Sequence, residues 1–476
     1  MATFFKSLQD ILSAMGPTVM LPIIIFVLGL ILGIKPGRAL RSGVTIGIAF
    51  VGINLVIGLM WGALAGISEA IVTKTGVQLT AVDVGWPTAA AIAFGSSVGT
   101  FIIPLALLVN ILLLLPGLTR TLNIDVWNFW HFAFVGSLTV VLTGNLVLGL
   151  AAAAVASMLA LFISDWTAKG IQSFYSLPGI SITTASAQAF VIPAIPVNKL
   201  LDKIPGLRDW KADPDTIQKK WGVFGEPIIL GLVLGLILGA IAYLPPSGEG
   251  VTWSSELVKV LSSGVNLAAV MLLLPRMVQI LMEGLIPISE GARDFMAKRF
   301  AGREFYIGLD AAILIGHPSS IAASLILVPI VILLAIILPG NRMMPFADLA
   351  AIPFFVCMFA PITRGNVVRM IILGTLGAIA GLYLASWMAP LQTAAAPAAG
   401  VAIPAGATMI TNMGDGWVLS VGALIAPATV SAAAEWIWLV VAAVLIFALF
   451  RLFNRDEERW SEWAGTPSEA EPAALD

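Results

Sequence analysis

The chain has 476 residues, 59% hydrophobic and 11% charged, with a formal net charge of −2. A soluble domain carries about a quarter charged residues, so this composition describes a polytopic membrane protein and leaves no basic surface for nucleic acid. One cysteine, Cys357, excludes an internal disulfide and a cysteine zinc site, and two unclustered histidines argue against a metal centre, so no metal or cofactor is expected.

A helix needs about 20 residues to span a membrane. Residues 17–34 form the first candidate and 43–64 the second. Lys35, Arg38 and Arg41 follow the first span. The positive-inside rule then predicts an outside N-terminus, and no basic run precedes that span to mark a cleavable signal peptide. A polar loop, 66–82, leads to DVGWP at 83–87, and residues 95–115 make a third span. The stretch 123–165 is too long for one span and awkward for two. We read 125–143 as a re-entrant hairpin and 146–164 as a span, with a break at Gly144-Asn145. A Pro/Gly/Ser/Thr-rich stretch, 178–197, enters as a broken fifth span. Residues 198–223 are rich in Lys and Asp and form a central cytoplasmic loop.

The halves on either side of that loop match. LGLILG occurs at 28–33 and again at 234–239. Gly43-Val44 returns as Gly264-Val265, Gly144-Asn145 as Gly365-Asn366 and Trp166 as Trp387, all at an offset of 221. Pro116-Gly117 and Pro339-Gly340, and Asp125 and Asp348, share an offset of 223. The pattern reads as an internal duplication, about 16–190 and 225–412, with a further span at 432–451. Five spans and one hairpin per half insert the second half upside down. The predicted fold is therefore an all-α polytopic membrane protein with about eleven transmembrane helices and two inverted repeats. Residues 1–453 make the membrane domain, and the C-terminus is cytoplasmic. The tail, 454–476, is acidic and Pro/Ala-rich and is expected to be disordered.

Ionisable groups at membrane depth are functional candidates. GLDAAILIGHP, 308–318, holds Asp310 and His317, which would share one face of a helix. Asp83 falls at nearly the corresponding place in the first half, so a pseudo-two-fold would bring Asp83 and Asp310 together at one site. Paired carboxylates bind hydroxyls, and one could act as a base; capping of the local turns is the alternative. His131 sits in DVWNFWHFAF with Trp127, Asn128 and Trp130. Those neighbours suit either a carbohydrate site or an interfacial aromatic belt. Thr183, Thr184 and Ser186 in SITTASAQ line a site or bond back to a helix. Glu226, in Gly225-Glu226-Pro227, is a cap or a gate residue. GxxxxGK[ST], GxSxG and HExxH motifs are missing, as is a nucleotide-binding domain.

MGPTVMLPI at 15–23, DVGWP at 83–87, NIDVWNFWH at 123–131, FGEP at 224–227, EFYIGLDAAILIGH at 304–317 and PGNRMMPFADLA at 339–350 carry a resemblance. The chain resembles the galactitol-type enzyme IIC of the bacterial phosphoenolpyruvate-dependent sugar phosphotransferase system, within the ascorbate/galactitol superfamily. The resemblance covers most of residues 10–430. It implies a homodimer in the bacterial inner membrane, with a dimerising scaffold, a mobile core and elevator-like import of a sugar alcohol. It further implies a separate IIB subunit, phosphorylated on its own cysteine and supplied by IIA, that phosphorylates the substrate. Whether this chain counts as an enzyme stays open, since the phosphoryl carrier lies on IIB. By the same resemblance Asp83, Trp86, His131, the 183–186 turn and Asp310 line the substrate site. From the residues themselves we read Asp310 as the candidate base, His317 as a further substrate-site or support residue, and Glu226 and Asn128 as gate or support residues. Where the family pattern has Pro-His-Gly, this chain has Thr183-Thr184-Ala185, which favours a pentitol or hexitol other than galactitol. An ion-coupled secondary carrier of a sugar or polyol is the alternative reading.

Overall fold

Apolar helical runs, interrupted by Gly, Pro and short polar stretches, set the order of elements. The structure, a computed structural model, describes residues 19, 22–75, 80–206, 227–246, 250–299, 304–345, 347–399, 401, 403 and 408–467. Helix α1 is Pro22–Ile31. Helix α2 is Pro36–Thr75, 40 residues long. It takes in the expected second span and runs on through most of the expected 66–82 loop, because Pro36 starts it and no proline interrupts it before Pro87.

After strand β1 (Ala81–Asp83) come α3 (Gly85–Gly95) and α4 (Gly99–Leu114), bent by 87° to one another. A side chain at Gly99 would run into the Ala93 carbonyl, so the corner depends on glycine. The sharp break in the first half therefore lies here. The expected re-entrant hairpin at 125–143 is instead a short 3-10 turn, Val126–Phe129, continuing into a straight helix, α5 (Trp130–Thr143). Of the polar residues in that stretch, Asp125 and Asn128 sit ahead of α5, just after β2 (Thr121–Asn123), and His131 lies on its first turn. Gly144, at φ 65°, ends α5, and the Asn145 side chain caps the Val147 and Leu148 amides of α6 (Leu146–Tyr175). Gly365 and Asn366 repeat the device, Asn366 capping the Arg369 amide. Strand β3 (Ile180–Ile182), α7 (Ala185–Gln188) and α8 (Val191–Leu201) break up the 178–197 stretch.

The second half contributes α9 (Pro227–Tyr243), α10 (Trp253–Arg299), β4 (Tyr306–Leu309), α11 (Pro318–Ile337), β5 (Met343–Met344), α12 (Val367–Ala398) and β6 (Met409–Thr411). Short helices α13 (Met413–Trp417) and α14 (Leu419–Ile425) lead to α15 (Ala432–Arg455). Among the described residues six helices are long and apolar enough to cross a membrane, or seven if the bent α3–α4 pair is one span. The start of the expected disordered tail is ordered: α16 (Glu457–Trp463) packs against α6, with Trp460 5.1 Å from Trp166 between ring centres. The aromatic residues of ERWSEW supply the apolar surface that the acidic composition conceals.

Two parallel three-stranded sheets tie the halves together, in the orders β5-β1-β6 and β2-β4-β3. Each takes its central strand from one half of the chain and both edges from the other. The all-α reading lacked them because strands of two to four residues are too short for alternation to show. The helices sort into two packing groups. In the first, α10 lies against both α2 and α9, and α1 returns onto α2. Gly231, Gly235 and Gly239 of α9 bring its backbone onto Leu267, Ser263 and Val260 of α10, and Gly29 of α1 meets Ala39 of α2. The repeated LGLILG motif thus packs small residues at helix–helix contacts, where association in lipid depends on close backbone approach. The second group holds both sheets with α3–α8 and α11–α16. The groups meet where α2 passes Asp348–Ala351 and where α9 passes α11.

Candidate functional site

Parallel strands end on one side, so each sheet gathers whatever residues follow its carboxyl ends. In the β2-β4-β3 sheet these are Asp125, Asp310 and Thr184. The Asn128 side-chain amide donates to Asp125 Oδ1 and Oδ2 at 3.0 and 2.8 Å and to Asp310 Oδ2 at 2.9 Å. Thr184 Oγ1 donates to Asp125 Oδ2 at 3.1 Å and accepts from the Ala311 amide at 2.9 Å. Asp310 Oδ1 accepts from the Ala312 amide at 2.8 Å. Two carboxylates from opposite halves are thus held around one amide.

The β5-β1-β6 sheet gathers Asp83, Asp348, Asn412 and Asp415. Asp83 accepts from the amides of Gly85 and Asp348, both at 3.0 Å. Asp348 in turn accepts from Trp86 at 2.9 Å and Gly414 at 2.8 Å, again through backbone amides. Asn412 Nδ2 donates to Asp415 Oδ2 at 2.9 Å.

His131, on the first turn of α5, links the two clusters. Its Nδ1 lies 3.1 Å from Asp415 Oδ1, and three residues before it Asn128 holds Asp125 and Asp310. The Trp130 ring lies over it at 3.7 Å, and Trp86 stacks on Trp130 at 6.5 Å. Trp130 Nε1 and Asn412 Oδ1 are buried without a hydrogen-bond partner among the described residues. Chemically the region offers carboxylate oxygens to accept from hydroxyls, an imidazole, a free indole N–H, a free amide oxygen and aromatic faces.

Residues 10–406 match a family described as the PTS system sugar-specific permease component. The chain belongs to that family. An Escherichia coli K12 protein named as a permease IIC component is 39% identical over 449 residues, covering 94% of this chain and 99% of that one. The galactitol-specific EIIC components of Escherichia coli K12 and O157:H7 are each 40% identical over 412 residues, covering 87% of this chain and 88% of theirs. The protein is thus the multi-pass membrane component, IIC, of a phosphotransferase system that works with IIA and IIB components on a sugar substrate.

The IIC structure redistributes the residues singled out in the sequence. Asp83 and Asp310 were expected to meet each other. Instead Asp83 joins Asp348 and Asp310 joins Asp125, each aspartate completing a cluster made largely by the other half. Trp86, His131, Thr184 and Asn128 fall in or between the clusters, Asn128 as the hub of one of them. Ser186 lies half-buried on α7, and its hydroxyl makes no hydrogen bond among the described residues. Asp310 and His317 do not share a helical face, because both have extended backbones that cap separate elements. His317 caps α11, its Nδ1 accepting from the Ser319 amide at 3.2 Å, and its ring packs on Phe174 and Tyr175 of α6. Glu226 lies outside the described residues. Asp125, Asp348 and Asp415 were not among the candidates; the common offset of Asp125 and Asp348 was the available signal for two of them.

Proposed function

We propose that this IIC imports a sugar alcohol, galactitol or a related polyol, and presents it to a phosphorylated IIB subunit. The observation that carries the reading is the gathering of Asp125, Asp310 and Thr184 in one cluster and of Asp83, Asp348 and Asp415 in another, with His131 bonded to Asp415, Trp86 to Asp348, and Trp130 stacked on both rings. A polyol presents many hydroxyl donors and C–H faces, which match carboxylate acceptors beside indoles. Asp310 is the candidate base for the hydroxyl that attacks phosphorus. Positioning and charge stabilisation supply most catalysis of phosphoryl transfer. The relatives named for galactitol support the substrate class. Thr184, standing where the family has a histidine, favours a pentitol or hexitol close to galactitol.

The division into two packing groups supports elevator-like transport. In this reading α1, α2, α9 and α10 form the scaffold and the dimer contact, and the sheet-bearing group moves past them with the substrate. The strand exchange supports a pair of inverted repeats, and hence about eleven spans with the N-terminus outside and the C-terminus cytoplasmic. Calorimetry with galactitol and related polyols on purified dimer tests the site: Asp310→Asn and His131→Ala abolish binding, and wild-type affinity in either variant refutes the assignment.

A second reading draws on the Asp125–Asn128–Asp310 arrangement alone. Two carboxylates at one amide also suit a proton or sodium ion, as in an ion-coupled secondary carrier. Vesicles separate the two. Accumulation of unphosphorylated polyol under an ion gradient without IIB favours the carrier, and accumulation of polyol phosphate only with phosphorylated IIB favours the phosphotransferase permease.

A further inference from the structure

Arg120 and Arg342 occupy matching turns with different surroundings. Each follows a Pro-Gly turn, with φ of 74° at Gly117 and 80° at Gly340, and each leads into a sheet strand, β2 or β5. Each donates its backbone N–H to a side chain on the long helix alongside, Arg120 to Asp165 Oδ2 at 3.0 Å and Arg342 to Ser386 Oγ at 2.9 Å. The next residue on each helix is a tryptophan, Trp166 or Trp387.

At the first turn the space is filled from within the chain. Glu457 of α16 accepts from the Arg120 guanidinium at 2.7 and 2.6 Å and pairs with Lys169 at 2.8 Å. Trp166 Nε1 donates to the Trp460 carbonyl at 2.7 Å, and the Trp460 ring lies against it. Glu304, largely exposed, also accepts from the guanidinium at 3.1 Å. The filling is two carboxylates and one apolar ring.

At the second turn the corresponding space is a cavity of about 450 Å³ lined by Arg342, Tyr383, Ser386, Trp387, Pro390 and Thr429 among others. The Arg342 guanidinium has no ion partner among the described residues. Trp387 and Tyr383 are 39% and 40% exposed. The cavity lies just beyond the end of α11, a 20-residue helix whose length of about 30 Å matches the hydrocarbon core. That places it at the membrane–water boundary, where Trp and Tyr anchor.

We propose that the Arg342 cavity binds the phosphate headgroup of an anionic phospholipid. The guanidinium pairs with the phosphate oxygens in the geometry that arginine shares with phosphate and carboxylate alike, as Arg120 pairs with Glu457. Trp387 and Tyr383 cover the glycerol and the first acyl carbons, as Trp460 covers Trp166. The volume suits a headgroup, falling within the range of small-ligand sites.

The full chain, purified in detergent, is titrated with phosphatidylglycerol and with phosphatidylcholine and analysed by native mass spectrometry. Wild type retains phosphatidylglycerol on the order of tenfold better than phosphatidylcholine, whose phosphate is the same but whose choline cation is repelled by the guanidinium. Arg342→Gln removes the preference. Should that variant fail to fold, brominated phosphatidylglycerol is added to wild type and to Trp387→Phe. A larger quenching of tryptophan fluorescence in wild type supports the site. Undiminished preference in Arg342→Gln, equal quenching in the second pair, or displacement of the lipid by millimolar inorganic phosphate overturns it, the last by revealing a site for free anions.

Discussion

Asn128 Nδ2 lies 2.9 Å from Asp310 Oδ2 and joins residues 182 positions apart in the chain. The same amide holds both oxygens of Asp125, so one uncharged side chain sets the spacing of two carboxylates from opposite halves. Asn128→Ala removes that spacer and leaves the carboxylates facing each other. Hydrogen bonds to charged groups contribute about 1.5–3 kcal/mol. We expect polyol affinity to fall on the order of 10- to 100-fold by calorimetry, with the helical circular dichroism unchanged.

His131 and Asp415 form the contact between α5 and α13. If the imidazole serves the ligand through the orientation Asp415 imposes, the two are energetically coupled. His131→Gln and Asp415→Asn should each weaken binding, and the double variant should be no worse than the worse single one. A coupling of about 0.5–3 kcal/mol in a double-mutant cycle is expected. Strict additivity would separate them.

Glu457 anchors α16. Partial burial raises its pKa, but the hydrogen bonds from Arg120 and Lys169 outweigh burial and hold it below the ordinary glutamate value. A depressed carboxylate pKa contributes stability above the unfolded value, about 4.3, and loses it as the pH falls through the folded value. Glu457→Gln should therefore lower the melting temperature at neutral pH by a few degrees, for a loss of about 1 kcal/mol. The gap to wild type should close as the solution is acidified below the glutamate range. The absence of a gap at neutral pH would mean that α16 is held by Trp460 without help from Glu457.

Gly235 faces the Ser263 carbonyl, where an added Cβ would sit at 2.5 Å. Neither backbone can yield without parting α9 from α10. Gly235→Ala should lower thermal stability, with a loss on the order of 1–3 kcal/mol typical of overpacking. Gly58 of α2 has nothing within 4 Å of such an atom, and Gly58→Ala should be neutral or stabilising. Melting curves of the two variants in one detergent make the comparison.

The helical plan was legible where physics acts locally. Gly144-Asn145 and Gly365-Asn366 mark where one helix ends and the next is capped, and LGLILG marks where helices touch. The candidate site was legible in part. Asp83, Trp86, His131, Thr184 and Asp310 stand out as polar or aromatic groups in apolar surroundings. Their partners do not, because pairing Asp83 with Asp348 depends on β1 entering between β5 and β6, and strands that short leave no periodic trace. His317 stood out for the same reason as Asp310, yet a histidine that caps a helix and packs on aromatic rings looks identical in sequence to one that binds a ligand. The 87° corner before α4 rests on the close approach of Gly99 to Ala93, a contact that hydropathy does not register.

The exchange of strands also dictates an order of assembly during synthesis. When the ribosome has delivered the first half, β1 has neither neighbour, and β2 and β3 lack the strand that belongs between them. Pairings this distant in sequence form slowly and leave strand edges open meanwhile. Both sheets close only once Thr411 has been made, so neither half can mature as an independent unit. Cutting the gene between the halves should give fragments that need each other's company in the same membrane to become protease-resistant.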